Sequence, residues 1–391
     1  MPTLKLKIAS LACVLALGTT IAFSHSLFAA FEATQANSTA ASTDLRTLYL
    51  GPPESWPQAD WDPNVPVEDR HDLAVVPNVV FPDDNPYSKE KAELGRQLFW
   101  DPRLSVSNAV ACVSCHHPDL GWTDGKSVSQ GHQLTRTSRN SPTLMGVAFS
   151  TKFMWDGRAS SLESQVLLPL ANAGEMHAEF SDVEKRINAV PGYREQFKAV
   201  FGEERVTLDH ITKAIATFER TIVPGRSRFD SFIKGRSEAL NDQELRGLHL
   251  YRTAARCINC HTGPLMTDQK FHNIGLSAFG REREDLGRYK ITNDPKDVGA
   301  FKTPTLRNIT RTGPYMHNGL FELPGILNIY DNGGVQPKPR ASEIDNPLFP
   351  KASPILRQLM LTDADKLDIL AFLASLEEPR LRINPPELPA D

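Results

Sequence analysis

The chain has 391 residues, of which 40% are hydrophobic and 23% are charged. This composition argues against a disordered chain and indicates a globular protein long enough for two domains with separate cores. The 43 basic and 47 acidic residues give a formal net charge of −4, which argues against a nucleic-acid partner.

Residues 1–30 have the pattern of a secretory signal peptide, with Lys5 and Lys7 before an apolar run over 8–23. We therefore predict cleavage of this leader and a periplasmic location. An uncleaved membrane anchor and a lipoprotein acylated at Cys13 are alternatives, but the residues before Cys13 do not form a lipobox. No later segment approaches the roughly 20 apolar residues that span a bilayer, so no stable membrane insertion is expected after cleavage.

The next segment, residues 31–87, is rich in Pro, Asp, Ser and Trp and has no sustained hydrophobic period. Such a pattern is typical of an extended arm, which we expect to pack over the first domain. A helix is predicted to begin after Ser88 as N-cap, with Leu94, Leu98 and Phe99 on one face. This helix leads the chain to the first of two cysteine motifs.

Two Cys-x-x-Cys-His units, 145 residues apart, contain every cysteine that remains after removal of the leader. Their spacing places two thiols within reach of both vinyl groups of one haem, and the adjacent histidine supplies the proximal nitrogen to the iron. We therefore predict two covalently bound haem c groups. Their protein ligands would be Cys112, Cys115 and His116 for haem 1 and Cys257, Cys260 and His261 for haem 2.

Other uses of these cysteines fit less well. A thioredoxin-like redox pair requires a βαβ context, which neither unit has. A four-cysteine zinc site usually keeps its pairs about 15 to 20 residues apart and gives no reason for a histidine after each pair. His117 follows His116, but only His116 directly follows the second cysteine of its unit, so it is the predicted ligand.

The surroundings of the two units repeat as well. A Gly-x-x-Leu-aromatic pattern precedes each unit, with Gly95 matching Gly247, and Thr-Asp follows each unit. We predict two haem domains related by internal duplication, residues 88–230 and 231–391. A helical stripe over 208–222 ends the first half. Because strand signals are sparse, the predicted fold class is mostly α, with long loops around the haems.

The two units occur together with "FMWDGRASSLESQVLLPLANAGEM" and "FKTPTLRNITRTGPYMHNG". In this combination the chain resembles the bacterial di-haem cytochrome c peroxidase and MauG family over about residues 88–378. The resemblance implies two cytochrome-c-like domains with their haems side by side, one calcium ion between them, and H2O2 as the oxidant. It also implies that the first haem reacts with peroxide.

The resemblance places Gln165 and Glu175 in the pocket of the first haem. Glu175 would move a proton from the near oxygen of peroxide to the departing one, and Gln165 would position peroxide or water. His132 matches a family position whose histidine blocks the first iron until the second haem is reduced, a block that MauG-type members lack. The ordinary alternatives are a solvated glutamate at a helix end and an exposed loop histidine.

Between the haems, the resemblance places Trp155 and a calcium site. Trp155 would pack as a core residue, shorten the electron path between the haems, or do both. Asn140, with the backbone carbonyls of Thr312 and Pro314, matches the calcium position, and ligation by oxygen alone suits this hard cation. Alternatively, Asn140 only caps the turn before Pro142.

At the second haem, Tyr330 stands where peroxidases of the family generally have a methionine. Methionine raises the reduction potential, whereas a tyrosine oxygen stabilises ferric and higher states. Met316, Met266 and His317 remain alternative ligands, and Tyr330 could also be an ordinary core residue. MauG has a tryptophan two residues before its second haem unit as the exit for oxidising equivalents, and Ala255 occupies that position here.

We therefore predict a di-haem c-type peroxidase that reduces H2O2 to water with electrons from a small soluble cytochrome c or cupredoxin. The first alternative is a MauG-like enzyme that oxidises side chains of a partner protein. The second is a plain electron carrier with both irons six-coordinate. His132 and Ala255 favour the peroxidase and Tyr330 favours the MauG-like enzyme, while Gln165 and Glu175 argue against the carrier.

Overall fold

The computed structural model describes residues 45–380 and 382–390, so the predicted leader and the start of the arm lie outside the described residues. The structure is mostly helical with little sheet, as predicted. Among the described residues, no helix is long and apolar enough to cross a membrane. The helices are α1 (Lys89–Trp100), α2 (Leu162–Ala171), α3 (Phe180–Ala189), α4 (Pro191–Phe201), α5 (Leu208–Glu219), α6 (Arg228–Ile233), α7 (Asp242–Arg252), α8 (Tyr289–Thr292), α9 (Leu323–Asp331) and α10 (Asp363–Ser375).

The two-stranded sheet is short and lies entirely in the second half. Strands β1 (Phe271–His272) and β2 (Phe301–Lys302) pair antiparallel, with Phe271 opposite Lys302 and His272 opposite Phe301. Short 3₁₀ turns and loops connect the helices. The small size of the sheet therefore agrees with the few strand signals in the sequence.

The first half is organised by a contact between α1 and α5. Ser88 caps α1 by accepting a hydrogen bond from the Lys91 N–H, as predicted. Gly95 faces α5 so closely that a Cβ atom built on it would lie 1.9 Å from the Ala214 carbonyl oxygen. Only glycine allows the two backbones to approach this far, which explains the glycine of the repeated sequence pattern.

The second half contains a matching contact between α7 and α10. Asn241 caps α7 and Thr362 caps α10, each by accepting from the backbone N–H three residues later. A Cβ atom built on Gly247 would lie 2.0 Å from the Asp368 carbonyl oxygen. Gly95 and Gly247 therefore perform the same packing task in two helix pairs.

The buried apolar residues form one main cluster around each helix pair. Leu94, Leu98 and Phe99 of α1 belong to the first cluster, at 0 to 1% exposure. Leu245, Leu248 and Tyr251 of α7 belong to the second and are fully buried. The chain therefore has enough core in each half to hold a separate cofactor environment.

The N-terminal arm packs mainly against the second half, so the expectation that it covers the first domain is wrong for most of its described part. Its Tyr49, Trp56 and Leu73 are buried within the second cluster. Arg252 of α7 pairs with Asp72 of the arm and donates to the Tyr49 hydroxyl at 3.0 Å. The arm takes this path because its aromatic side chains complete the core around α7.

The last part of the arm and the described C-terminal residues both lie against the first half. The last part of the arm reaches the first half, where Asn85 donates to Glu163 at 2.8 Å. Residues 382–390 also run over the first half, with Ile383 packed against its cluster. There Arg103 donates to the Pro389 carbonyl at 3.0 Å. The arm thus covers mainly the second half, and the C-terminal tail covers the first.

Candidate functional site

A cavity of about 980 Å³ extends between the halves and is lined by residues of both Cys-x-x-Cys-His units. Cys112, Cys115 and His116 lie on its wall, as do Cys257 and His261. All four cysteines of the two units are free of disulfide bonds. The cavity is therefore shared by the two units that the sequence predicts to hold haem.

The first unit is a tight turn that aims its histidine by a backbone contact. The chain folds into a 3₁₀ turn at Cys112–Ser114, and the His116 N–H donates to the Cys112 carbonyl at 3.0 Å. The His116 Nδ1 donates to the Trp122 carbonyl at 3.0 Å. This hydrogen bond fixes the orientation of the ring and leaves Nε2 as the nitrogen available to a ligand. Metal-binding histidines are commonly held in this way through their other ring nitrogen.

The second unit repeats this arrangement. The chain turns at Cys257–Asn259, and the His261 N–H donates to the Cys257 carbonyl at 2.9 Å. The His261 Nδ1 contacts the Met266 carbonyl at 3.2 Å. Burial lowers the pKa of His116 and of His261, which favours the neutral imidazole that binds metals.

A second pair of matching contacts supports the two histidine loops. The hydroxyl of Thr143 donates to the Gly121 carbonyl, and that of Thr305 donates to the Leu265 carbonyl, both at 2.6 Å. Each threonine belongs to a Pro-Thr-Leu triplet, at 142–144 and 304–306. This repeat was not predicted from the sequence, because the triplets follow their units at different distances along the chain.

The residues of both units fit a c-type haem. Each unit offers two thiols, an imidazole oriented through Nδ1, and an adjoining cavity with apolar walls, which together match covalent haem attachment. Burial raises the pKa of the Cys112 and Cys115 thiols and raises that of Cys257 to about 12. Before haem attachment, these three groups are therefore neutral thiols.

The cavity beside the first unit also receives Gln165 and Glu175. Gln165 lies on α2, with its amide nitrogen 3.8 Å from the Met154 sulfur, and Glu175 lies just beyond the end of that helix. The side-chain amide of Asn172 donates to the Glu175 carboxylate at 2.7 Å. Burial raises the pKa of Glu175, partly offset by the charge of Arg158 and the Asn172 hydrogen bond.

His132 lies beside the backbone of Glu175. Among the described residues, it is not one of those that line the cavity. Its backbone N–H donates to the Glu175 carbonyl at 2.7 Å, and its ring centroid lies 5.2 Å from the ring centroid of His177. The structure therefore does not bring the His132 ring into the group formed by His116, Gln165 and Glu175.

Trp155 connects the two halves at the cavity wall. Its indole N–H donates to the Asn140 carbonyl at 2.9 Å, and the Asn140 N–H donates to the His317 carbonyl at 2.8 Å. The Trp155 and His317 rings meet edge to face, with centroids 6.4 Å apart. A side chain of the first half thus contacts the second half directly.

The three residues assigned to calcium all line the cavity. The Asn140 side-chain nitrogen donates to the Lys126 carbonyl at 2.8 Å, and its backbone carbonyl is taken by Trp155. The side-chain oxygen is therefore the Asn140 atom best placed for a cation. Thr312 and Pro314 lie on either side of Gly313, in a segment with a cis Gly313–Pro314 bond.

Helix α9 presents one face to the cavity beside the second unit, and Tyr330 belongs to this face. The spacing of its cavity residues matches successive turns of a helix. Burial raises the pKa of the Tyr330 hydroxyl well above its usual range. The cavity-facing residues of α9 are Leu323, Ile326, Leu327 and Tyr330.

The alternative sixth ligands occupy different places. Met316 and His317 line the cavity, whereas Met266 is fully buried and, in the described chain, is not a lining residue. The His317 ring stacks on Phe301 with centroids 3.6 Å apart. Burial lowers the pKa of His317 to about 4. Tyr330 and Met316 are therefore the better placed of the candidates named from the sequence.

Two ionisable residues of the cavity wall, the buried Glu219 and the half-buried Lys302, were not predicted from the sequence. Glu219 ends α5, and Lys302 lies on β2 with its ammonium group 3.0 Å from the Ser150 hydroxyl. Burial lowers the pKa of Lys302 to about 8. The sequence does indicate that Glu219 is on the buried face of the helix, because it lies four residues after Ile215 of the predicted apolar stripe.

Comparisons with known proteins agree with this geometry. A family model for di-haem cytochrome c peroxidase matches residues 89–238. Cytochrome-c peroxidase IdrP1 of Pseudomonas sp. is 37% identical over 345 residues, covering 80% of this chain and 88% of the relative. Methylamine utilization protein MauG of Methylorubrum extorquens is 38% identical over 318 residues, covering 80% and 85%. A solved MauG-like protein associated with microbial copper homeostasis has a TM-score of 0.70 at 32% identity, covering 82% and 96%.

The chain is therefore an oxidoreductase that acts on peroxide, of a class built around two c-type haems. It belongs to the di-haem cytochrome c peroxidase and MauG family. The family resemblance of the sequence is thus confirmed.

Proposed function

We propose that this protein is a di-haem peroxidase of the periplasm, exported through its leader at residues 1–30, that reduces H2O2 to water. Its electrons come from a small soluble redox protein, a cytochrome c or a cupredoxin. The observation that carries this proposal is the pair Gln165 and Glu175 on the cavity wall beside His116. The second unit faces the mainly apolar face of α9 instead, as a relay centre requires.

The proposed architecture is a duplication of one cytochrome-c-like domain, with the first copy at 88–230 and the second at 231–391. Each copy binds one haem c through its Cys-x-x-Cys-His unit. Three matched contacts support the duplication: the glycine between two helices, the backbone carbonyl at the histidine Nδ1, and the threonine of the Pro-Thr-Leu triplet.

When bound, the haems supply the one-electron redox chemistry that links a two-electron oxidant to one-electron donors. The protein's own part at the first unit is proton movement. Glu175 takes a proton from one oxygen of H2O2 and returns it to the other, which leaves as water. The Asn172 amide holds the carboxylate in place, and Gln165 orients peroxide through its side-chain amide. Overall, one H2O2, two electrons and two protons yield two waters.

Three further assignments follow from the same proposal. Trp155 lies on the electron path between the haems, and its contact with His317 supports this. A calcium ion between the halves is bound by Asn140 with the carbonyls of Thr312 and Pro314. His132 could bind the first iron only after movement toward the cavity, since it is not among the described residues that line the cavity.

The MauG-like alternative, oxidation of side chains in a partner protein, is favoured by one observation. Tyr330 is on the cavity face of α9, where an oxygen ligand would stabilise oxidised states of the second haem. Ala255 opposes this alternative, because it offers no aromatic exit route before the second unit.

The donor assay tests the proposed function. Reduced cytochrome c and reduced cupredoxin are mixed with the haem-loaded protein and H2O2, and donor oxidation is followed by absorbance. We expect two equivalents of donor to be oxidised per H2O2 consumed. Consumption of peroxide without donor oxidation, accompanied by oxidised residues in a partner protein, would support the MauG-like alternative. Loss of neither peroxide nor donor would show a plain electron carrier.

Replacing Tyr330 with methionine is expected to change the ferric spectrum of the second haem and to raise its reduction potential, because a thioether favours the reduced iron. Electron paramagnetic resonance and a potentiometric titration measure both effects. Tyr87→Phe is a matched control at a half-exposed tyrosine (51%) outside the cavity wall. A wild-type spectrum without a tyrosine-bound low-spin haem would remove Tyr330 from the ligand set.

A further inference from the structure

The wall of the first haem unit contains a carboxyl group that the proposed proton movement by Glu175 does not use. Glu219, the last residue of α5, lines the cavity and is only 4% exposed. Its Oε2 atom has no hydrogen-bond partner among the described residues. A buried polar atom without a partner costs free energy, so this position calls for a functional explanation.

Comparison of the two halves shows that packing does not require a carboxyl group here. Since Gly95 contacts the Ala214 carbonyl and Gly247 contacts the Asp368 carbonyl, residue 214 corresponds to residue 368. Counting along each helix, Glu219 corresponds to Leu373. Leu373 also lines the cavity and is 5% exposed. The same place in the fold therefore accepts leucine at the second haem unit.

The neighbouring residue Ile215 strengthens this correspondence. Ile215 matches Ile369 by the same count, and both isoleucines are buried and line the cavity. The two helices thus present the same four-residue spacing to their haem units, Ile215 with Glu219 and Ile369 with Leu373. The pair differs only in the carboxyl group, which belongs to the unit proposed to react with peroxide.

The charges around Glu219 leave it without a dedicated counter-ion. Arg220, its neighbour on α5, is bonded to Glu163 of α2 at 2.7 and 3.1 Å. Burial raises the pKa of Glu219 to about 8, the Glu163 charge adds to this, and Arg220 offsets part of it.

The other helices that touch α5 add little charge at this end. Helix α1 meets it with the aromatic rings of Phe99 and Trp100, which contact Phe218. The contact with α3 lies at the opposite end, where Glu184 accepts from the Leu208 N–H. This end of α5 therefore meets α1 through aromatic rings, and Glu219 lines the cavity that also borders the first haem unit.

We propose that Glu219 couples proton uptake to reduction of the first haem. As that haem gains one electron from the donor, the carboxylate of Glu219 takes one proton from solvent, and oxidation of the haem returns it. The charge in this part of the cavity then stays constant through the cycle. Glu219 is a positioning residue in this scheme, because it acts on the haem and not on peroxide. The role of Glu219 in peroxide reduction rests on the proposed function, whereas the coupling of its protonation to haem reduction does not.

Reduction potentials measured against pH test this coupling. We expect the potential of one of the two one-electron steps of the haem-loaded protein to fall as pH rises above about 8, where Glu219 of the oxidised protein is ionised. The expected slope is about 59 mV per pH unit, the value for a tenfold change in a one-electron couple. Both Glu219→Gln and Glu219→Leu should make that step independent of pH. Glu203→Gln, at an exposed glutamate beyond α4, is the control and should keep the dependence.

An unchanged pH dependence in Glu219→Gln would overturn the inference. If neither variant binds two haems, infrared difference spectra of the intact protein decide instead. Reduction should produce the carbonyl band of a protonated carboxyl group, and the band should persist in Glu175→Gln. Its absence from both proteins would also overturn the inference. Glu175→Gln could react with peroxide at the wild-type rate while the pH dependence of the reduction potential still requires Glu219. That result would reject the proposed function and leave the inference about Glu219 intact.

Discussion

Replacing Cys112 and Cys115 with alanine is expected to halve the haem content and to abolish the rapid reaction with H2O2. Both thioethers of the first haem are lost, and His116 alone does not hold the cofactor covalently. Haem per chain is measured by denaturing mass spectrometry and pyridine haemochrome absorbance. The peroxide reaction is followed by stopped-flow absorbance without a donor.

The equivalent change at Cys257 and Cys260 is the matched control. It should also leave one haem per chain, but the remaining haem should still react rapidly with the first equivalent of H2O2. Donor turnover should be lost in both double variants, because the second haem relays the electrons. A rapid peroxide reaction that survives the loss of Cys112 and Cys115 but not that of Cys257 and Cys260 would reverse the assignment of the two haems.

Glu175→Gln is expected to slow the peroxide reaction by about 10²- to 10⁴-fold, the usual contribution of general acid–base catalysis. The amide keeps the size of the side chain but cannot take and return a proton. Haem content should remain at two per chain. Stopped-flow rates at several H2O2 concentrations give the second-order rate constant directly.

The pH profile adds a second test of Glu175. Its pKa is raised, chiefly by burial, and proton abstraction requires the ionised form. The wild-type rate should therefore fall as pH decreases through a value above the ordinary range of a glutamate, and Glu175→Gln should lack this fall. Glu179→Gln, at an exposed glutamate four residues later, should keep both the rate and the profile. A less than threefold loss in Glu175→Gln would remove this carboxyl from the mechanism.

The parts of the site that could be predicted from sequence are those encoded by short spacings. Each Cys-x-x-Cys-His unit forms its own turn, so its ligands follow from five consecutive residues. Gly95 and Gly247 were recognisable because the helix contact needs a glycine, and a repeated glycine before each unit is visible in the chain. The helical stripe over 208–222 likewise predicted α5 and its buried face.

The parts that were missed depend on contacts between distant segments. The arm carries Tyr49 and Trp56, but no local pattern states which core their rings complete. Glu219 lies on the predicted helical stripe over 208–222. The spacing of the stripe does not show whether this face of the helix borders a cofactor cavity or an ordinary apolar core. The same limit applies to His132, whose neighbour at Glu175 lies 43 residues further along the chain.

The crossed chain ends constrain the order in which the protein can assemble. The arm leaves the ribosome first, but its binding surface on α7 is made more than a hundred residues later. The first half, although complete early, stays uncovered until residues 382–390 arrive. The first half therefore reaches its final state only when residues 382–390 have joined it, and the two halves should unfold as one cooperative unit rather than as independent domains.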